Sequence, residues 1–313
     1  MYRSILVPLD GSTFAEHALP LALTIARRAG ATIQLVHVRD PQVLAHPEAV
    51  AYYDQILETR LKIGQRNYLD RVVDRLRTVS SVHVTGTLLE GEIVATLRVT
   101  ASSTHTDLVI MTSHGRGPFE RFWLGSVADG LVRELSVPLL LIRPPECAVD
   151  FTQEKVLKHF LLPLDGSLFA EQIIKPATAL GTLMDSDYTL LRVVQPAFPD
   201  YLHLEGYVLG HEALSVRDQI ERMQAQLLKD TQEYLDRVAD PLRAESLRIQ
   251  TRVLVNPHPA SGILKQTTNG INDMVAIESH CRRGLSRFLI GSVADKVLRG
   301  VSVPMLVHHP VYQ

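Results

Sequence analysis

The residues of this chain best suited to chemistry are glycines and short polar side chains arranged to meet an anion. Thr112-Ser-His-Gly115 is followed, after nine further residues, by Gly125-Ser126. Gly115 and Gly125 lack a Cβ, so backbone N–H groups there can come close to phosphate oxygens. Gly125-Ser126 opens a stretch with apolar residues at helical spacing, Val127, Ala128, Leu131, Val132 and Leu135. The N-terminus of such a helix presents unpaired N–H groups and partial positive charge, which suits an anion. The Ser126 hydroxyl can donate to a phosphate; equally, Ser126-x-x-Asp129 reads as a capping box that needs no ligand. Arg116 is either a cation for phosphate or an exposed arginine without a partner. Asp10-Gly11-Ser12 after a strand reads as a turn. His114 reads as a loop residue, Phe122 and Trp123 as core anchors rather than base-stacking groups, and His308-His309 as a solvated tail.

These features come in duplicate. Pro8-Leu-Asp-Gly-Ser-Thr-Phe-Ala-Glu16 returns as Pro163-Leu-Asp-Gly-Ser-Leu-Phe-Ala-Glu171 with a single difference. Gly125-Ser-Val-Ala-Asp129 returns as Gly291-Ser-Val-Ala-Asp295, and Ser136-Val-Pro138 as Ser302-Val-Pro304. The offset is 155 positions at the front and 166 at the back, so 11 residues are inserted within the second copy. Pro196–Ser215, rich in Pro, Tyr and His, reads as the long loop that holds them. The chain divides into residues 1–145 and 156–313, joined by a linker after Pro144-Pro145.

Positioning these residues requires strands alternating with helices. In the first copy, Ser4–Leu9 is an apolar run expected of a strand buried on both faces. A helix follows over Phe14–Ala29, stopped by Gly30. Strands over Thr32–Val38, Val82–Leu89, Asp107–Thr112 and Pro138–Ile142 alternate with helices over Glu48–Arg77, Glu92–Ser102 and Ser126–Leu135. The alternation implies right-handed crossovers and a parallel sheet. With long crossovers early in the chain, the expected order is 3-2-1-4-5. Ligands of such sheets bind beyond the carboxyl ends of strands at the topological switch point, here between strands one and four. Asp10-Gly11-Ser12 and Thr112–Pro118 fall there. The fold class expected is two tandem doubly wound parallel five-stranded sheets.

The composition narrows the partners. Of 313 residues, 46% are hydrophobic and 21% charged, enough to bury a core and too apolar for long disorder. Lys and Arg number 32 against 34 Asp and Glu, so no global charge favours nucleic acid or an anionic membrane. No apolar run approaches the ~20 residues of a membrane span. Asp10 interrupts the first apolar run too early for a secretory signal. Cys147 and Cys281 form no CxxC, and no HExxH or Cys/His cluster suggests a metal. A cytoplasmic location is expected.

The run Thr112-Ser-His-Gly115-x9-Gly125-Ser126 resembles the nucleotide loop of universal stress proteins, G-x2-G-x9-G-[S/T]. The resemblance extends over both halves and identifies the chain as a tandem member of that family, its sheets of adenine-nucleotide-binding type. In the ATP-binding branch it implies a triphosphate along the loop. The adenine would lie near the Asp after strand one and a Val at the end of strand two, here Leu9-Asp10 and Val38. The candidate set is Leu9, Asp10, Val38, Thr112, Gly115, Arg116, Gly125 and Ser126, and the cofactor is ATP, with or without Mg2+. Thr112 departs from the family's first glycine. The second copy reads Glu278-Ser-His-Cys281-x9-Gly291-Ser292, both early glycines gone, with a carboxylate in the phosphate path and Arg282, Arg283 and Arg287 as partial offset. Its site is expected to be degenerate.

The resemblance further implies that the two closing strands pair across a pseudo-twofold axis, as in family dimers. A homodimer of whole chains and a regulatory protein partner stay open. No catalytic base, nucleophile or metal cluster is readable, so ATP is expected as a regulatory ligand of a stress-response protein. A nucleotide-free scaffold acting through partners and a slow ATP-using enzyme are the alternatives.

Overall fold

The computed structural model describes residues 2–40, 53–113, 124–143, 147–197, 211–268, 270, 272–279 and 291–309. The first half runs β1 (Ser4–Pro8), a short 3-10 helix (Ala15–Ala18) leading into α1 (Leu19–Ala29), β2 (Thr32–Arg39), α2 (Tyr53–Val79) and β3 (Val84–Glu90). It closes with α3 (Ile93–Ser103), β4 (Leu108–Thr112), α4 (Ser126–Glu134) and β5 (Leu139–Ile142). The second half repeats the series: β6 (His159–Pro163), a 3-10 helix (Ala170–Ile173), α5 (Ile174–Met184), β7 (Asp187–Val194), α6 (His211–Ala244) and β8 (Arg248–Val255). It ends with α7 (Pro259–Thr268), β9 (Met274–Glu278), α8 (Ser292–Gly300) and β10 (Met305–His308).

The first five strands lie in the expected order, β3-β2-β1-β4-β5, all parallel. The second five repeat that order in mirror sequence. β5 and β10 would each be an open edge, and open edges seek pairing. They pair antiparallel with each other, Leu139, Leu140 and Leu141 facing Val307, Leu306 and Met305. The two five-stranded units therefore merge into one ten-stranded sheet.

Strand residues alternate between two apolar layers. Ile5 and Val7 join α1, α2, α5 and α6 on one face, while Leu6 and Val36 join α3, α4, α7 and α8 on the other. Local signals set the helix ends. Gly30 closes α1 at φ 66°, and Asp185 does the same for α5 at φ 53°. Glu92 precedes α3 as its cap, accepting from the N–H groups of Val94 and Ala95. The long loop expected over Pro196–Ser215 is corrected at its end, because His211–Ser215 are the first turns of α6. The described parts of α2 and α6 span 27 and 34 residues, each starting where the described residues resume. Residues 198–210 lie outside the described residues, as do 48–52 of the expected second helix.

Candidate functional site

Parallel strands bring their carboxyl ends to one edge, and the described candidates of the first half stand there. Leu9 is buried and its N–H donates to the carbonyl of Val36 at 2.8 Å, which ties the end of β1 to β2. Asp10 then turns the chain: its Oδ1 accepts from the Ser12 N–H at 2.9 Å and from the Ser12 hydroxyl at 2.6 Å. Ser12 Oγ in turn accepts from the Ala15 N–H at 3.2 Å. Gly11 sits at φ 87°, where a side chain would be strained. The turn reading of Asp10 is therefore correct. Its second oxygen, Oδ2, has no hydrogen-bond partner among the described residues. Val38 is half-buried against the α3–α4 layer.

Two further residues stand beside this turn that the sequence reading missed. His37 is buried on β2 next to Gly11, and the Tyr68 ring of α2 meets it edge-on, centroids 6.4 Å apart. Burial first, then the Glu16 carboxylate, holds the Tyr68 hydroxyl above the ordinary phenol range. A signal for Tyr68 existed, since Tyr68-Leu-Asp-Arg-Val72 returns as Tyr234-Leu-Asp-Arg-Val238.

The other end of the site is the start of α4. Gly125 is its N-cap, at φ −61° and ψ 149°, and has no side chain of its own to cap the first turn. Those angles suit any residue, so the backbone does not demand glycine there. The Gly125 N–H donates to the Ser113 carbonyl at 2.9 Å, which anchors the helix start against the end of β4. Ser126 is exposed as the first helical residue. The capping box does not form: the Asp129 carboxylate pairs with Arg133 one turn on, at 2.9 Å. Arg299 of α8 reaches the same carboxylate at 3.4 Å and also holds Asp295, so the repeated aspartates tie the two halves together. Thr112 ends β4 at 4% exposure. Gly115 and Arg116 lie outside the described residues, as do His114, Phe122 and Trp123.

The second half keeps the turn and changes what surrounds it. Asp165 Oδ1 accepts from the Ser167 N–H at 3.0 Å and its hydroxyl at 2.6 Å, and Gly166 sits at φ 86°. In place of His37 stands Arg192, its guanidinium against Gly166 and 5.4 Å from the Tyr234 ring centre. The Tyr234 hydroxyl donates to Glu171 at 2.9 Å. Glu278 is 1% exposed, and its carboxylate meets Nδ1 of His308, directly opposite in the β9–β10 ladder, at 3.0 Å. His309 Nδ1 lies 3.1 Å from the Ser279 hydroxyl, and burial lowers its pKa. His308-His309 is thus no solvated tail, and Glu278 is paired within the sheet rather than projecting from a loop. Cys281, Arg282, Arg283 and Arg287 lie outside the described residues.

Among the described residues no group of His, Cys, Asp or Glu is placed to hold a metal ion. No described helix is long and apolar enough to cross a membrane. For an adenine nucleotide the first half offers a fitting set of polar groups: a helix start with an exposed serine, and a carboxylate oxygen that has no hydrogen-bond partner among the described residues, near a buried imidazole.

Comparison with known proteins agrees over the whole chain. The pattern of the Universal stress protein family matches residues 1–143 and again 157–309. Universal stress protein Rv2005c of Mycobacterium tuberculosis is 26% identical over 319 residues, spanning 97% of this chain and 96% of that protein. Universal stress protein Rv1996 of the same organism is 26% identical over 329 residues, spanning 97% and 94%. Among solved structures, a universal stress protein of Archaeoglobus fulgidus superposes with a TM-score of 0.68 at 15% identity, over 98% of each chain. A functionally unknown protein of Pseudomonas aeruginosa, PA1789, superposes with a TM-score of 0.61 at 16% identity, over 99% of this chain and 93% of that one. At such identities the superpositions speak for the fold.

Proposed function

The chain belongs to the universal stress protein family in both of its halves, and from that premise we propose that it is a cytoplasmic stress-response protein that binds ATP as a regulatory ligand in its first half. The observation that carries the reading is the start of α4. A glycine stands there at ordinary backbone angles with Ser126 exposed beside it; Gly291 and Ser292 repeat this at α8, so the choice of the first half rests on the crevice beside the Asp-Gly turn, which Arg192 fills in the second. Where the backbone does not require glycine, the missing Cβ serves the approach of something else, and a helix N-terminus favours an anion. The residues assigned to the nucleotide are Leu9, Asp10 and Val38 at the adenosine end, and Thr112, Gly115, Arg116, Gly125 and Ser126 at the phosphate end.

Each has a stated task. Asp10 Oδ2 accepts from a ribose hydroxyl or base amine, while its Oδ1 keeps the turn. Ser126 and the N–H groups of the first turn of α4 take phosphate oxygens. Mg2+, where present, enters with the triphosphate as its counter-ion. The bound nucleotide supplies a polyanion whose presence or absence the protein can report to a partner. The second half is assigned no nucleotide, because Arg192 fills the space beside Gly166 with the chain's own cation.

Mass spectrometry of the supernatant released by heating the purified protein tests the reading. Adenine nucleotide should be released from the wild type and missing from a folded Gly125→Val variant. Absence from both, together with no thermal stabilisation by added ATP, would leave a scaffold acting through partners.

A further inference from the structure

The duplication exposes an inequality on the face away from the nucleotide loop. In the first half, the groove between α1 and α2 is covered by the linker that joins the halves. The Cys147 carbonyl accepts from His17 Nε2 at 2.8 Å, and the Lys155 N–H donates to Thr24 Oγ1 at 3.2 Å. Between these points Phe151 is buried in the core, its ring 4.5 Å below the Arg75 guanidinium. Glu154 meets Arg28 at 2.8 Å. The linker thus lies along α1, bent at Asp150–Thr152 where the Asp150 carboxylate accepts from the Thr152 N–H, and is held by one aromatic side chain and one carboxylate three residues on.

The matching groove of the second half, between α5 and α6, has no such cover among the described residues and forms an open trough of about 760 Å3. Its equivalence to the first is direct, because α2 and α6 share Tyr-Leu-Asp-Arg-Val at Tyr68 and Tyr234, and each trough starts at the Asp-Gly turn. Ile174, Val238 and Leu242 supply its apolar lining, and Lys175 and Arg237 stand exposed on opposite walls. One change in the repeat points to an occupant. Pro8–Glu16 and Pro163–Glu171 differ only where Thr13 becomes Leu168. Leu168 lies on this trough at 82% exposure. Beside a trough that is open among the described residues, an exposed leucine in place of a threonine offers an incoming apolar side chain a contact that the first half's turn lacks.

We propose that the α5–α6 trough is a docking site for a peptide segment of a protein partner, carrying an aromatic side chain with carboxylates within three residues of it, as Asp150-Phe151-Thr-Gln-Glu154 does. The aromatic ring takes the place that Phe151 has in the first half. The carboxylates meet Lys175, which stands where the first half has Pro20, and Arg237, the counterpart of Arg71. This site is separate from the nucleotide assignment and stands if that assignment fails.

The linker sequence itself is the probe. A fluorescein-labelled peptide Ala-Val-Asp-Phe-Thr-Gln-Glu-Lys, corresponding to residues 148–155, is titrated with the full chain and followed by anisotropy. Saturable binding is expected, weakened at least tenfold by Leu168→Asp or Lys175→Glu, both surface changes that leave the core intact. Alanine in place of the peptide phenylalanine should weaken it as much. Failure to bind, or binding indifferent to both protein variants, would overturn the proposal. Sedimentation of the chain alone provides the second arm. A concentration-dependent dimer abolished by Leu168→Asp would assign the trough to a second copy and equally overturn it, whereas self-association unaffected by Leu168→Asp keeps the trough open to the peptide.

Discussion

His37 and Arg192 hold the same place in the two halves, and the difference between them separates two fates of one duplicated crevice. Both stand beside an Asp-Gly-Ser turn with the same carboxylate hydrogen bonds and the same left-handed glycine. Beside Gly11 stand the buried imidazole and the Tyr68 ring, and Asp10 Oδ2 has no hydrogen-bond partner among the described residues. Beside Gly166 the guanidinium lies over Tyr234 and against the glycine itself. The phosphate ends diverge in the same sense. Thr112 faces Ile142 across the β4–β5 ladder, whereas Glu278 faces His308 and its carboxylate meets the imidazole Nδ1 at 3.0 Å. The lesson is that the duplication keeps turns and helix starts and varies the side chains around them. Turns, helix starts and the β5–β10 seam are common to both halves; the side chains lining the crevice are not.

The largest effect expected concerns the shared framework. Leu140 and Leu306 face each other across the seam, both fully buried. Alanine at either should cost about 2–5 kcal/mol, since each leaves a cavity in the same layer. Urea denaturation should find the two costs alike. A large inequality would show that the seam is not symmetric and break the comparison at its base.

The crevice variants should behave oppositely. Gly125→Val should weaken ATP at least tenfold, or ~1.4 kcal/mol, while Gly291→Val leaves the affinity unchanged. Equal affinity in calorimetry for folded Gly125→Val would remove the site. Transplanting the second half's cation, as His37→Arg, sharpens the test: a loss of about threefold to tenfold is expected, ~0.6–1.4 kcal/mol. Retained affinity would mean that the guanidinium at position 192 is not what closes its crevice.

The smallest effect is a pH dependence present in one half alone. Burial lowers the pKa of His309, whose counterpart in the first half is Arg143. The folded state therefore disfavours the proton that the unfolded chain accepts near the usual histidine value of about 6.5. Its contribution to stability is full above that value and is lost as pH falls towards the lowered one. Melting temperatures from pH 8 to pH 5.5 should fall less steeply for His309→Gln than for the wild type. Parallel curves would show that His309 is not buried in solution.

What was legible in the sequence was whatever depends on neighbours along the chain. Asp10-Gly11 announced its turn, Gly30 its helix end, and the apolar runs with long early crossovers gave the strand order. What was not legible depends on neighbours across it. Ser126-x-x-Asp129 has the spacing of a capping box, but Arg133 competes for the carboxylate one turn on, and Arg299 reinforces it from the other half. His308-His309 resembled a tail because no pattern along the chain shows that Glu278 lies opposite in the ladder. His37 and Tyr68 meet only because β2 and α2 pack in one register, which the residues between them do not encode locally. The loop carrying Gly115 and Arg116 was found by family resemblance, and its assignment rests on that resemblance.

One half of the chain is expected to bind nucleotide and the other is not. Isothermal titration of ATP into the full chain, repeated with Gly125→Val and with Gly291→Val, measures this directly. One nucleotide per chain is predicted, lost with Gly125→Val and kept with Gly291→Val. Two equal sites, or a single site removed by Gly291→Val alone, would contradict it.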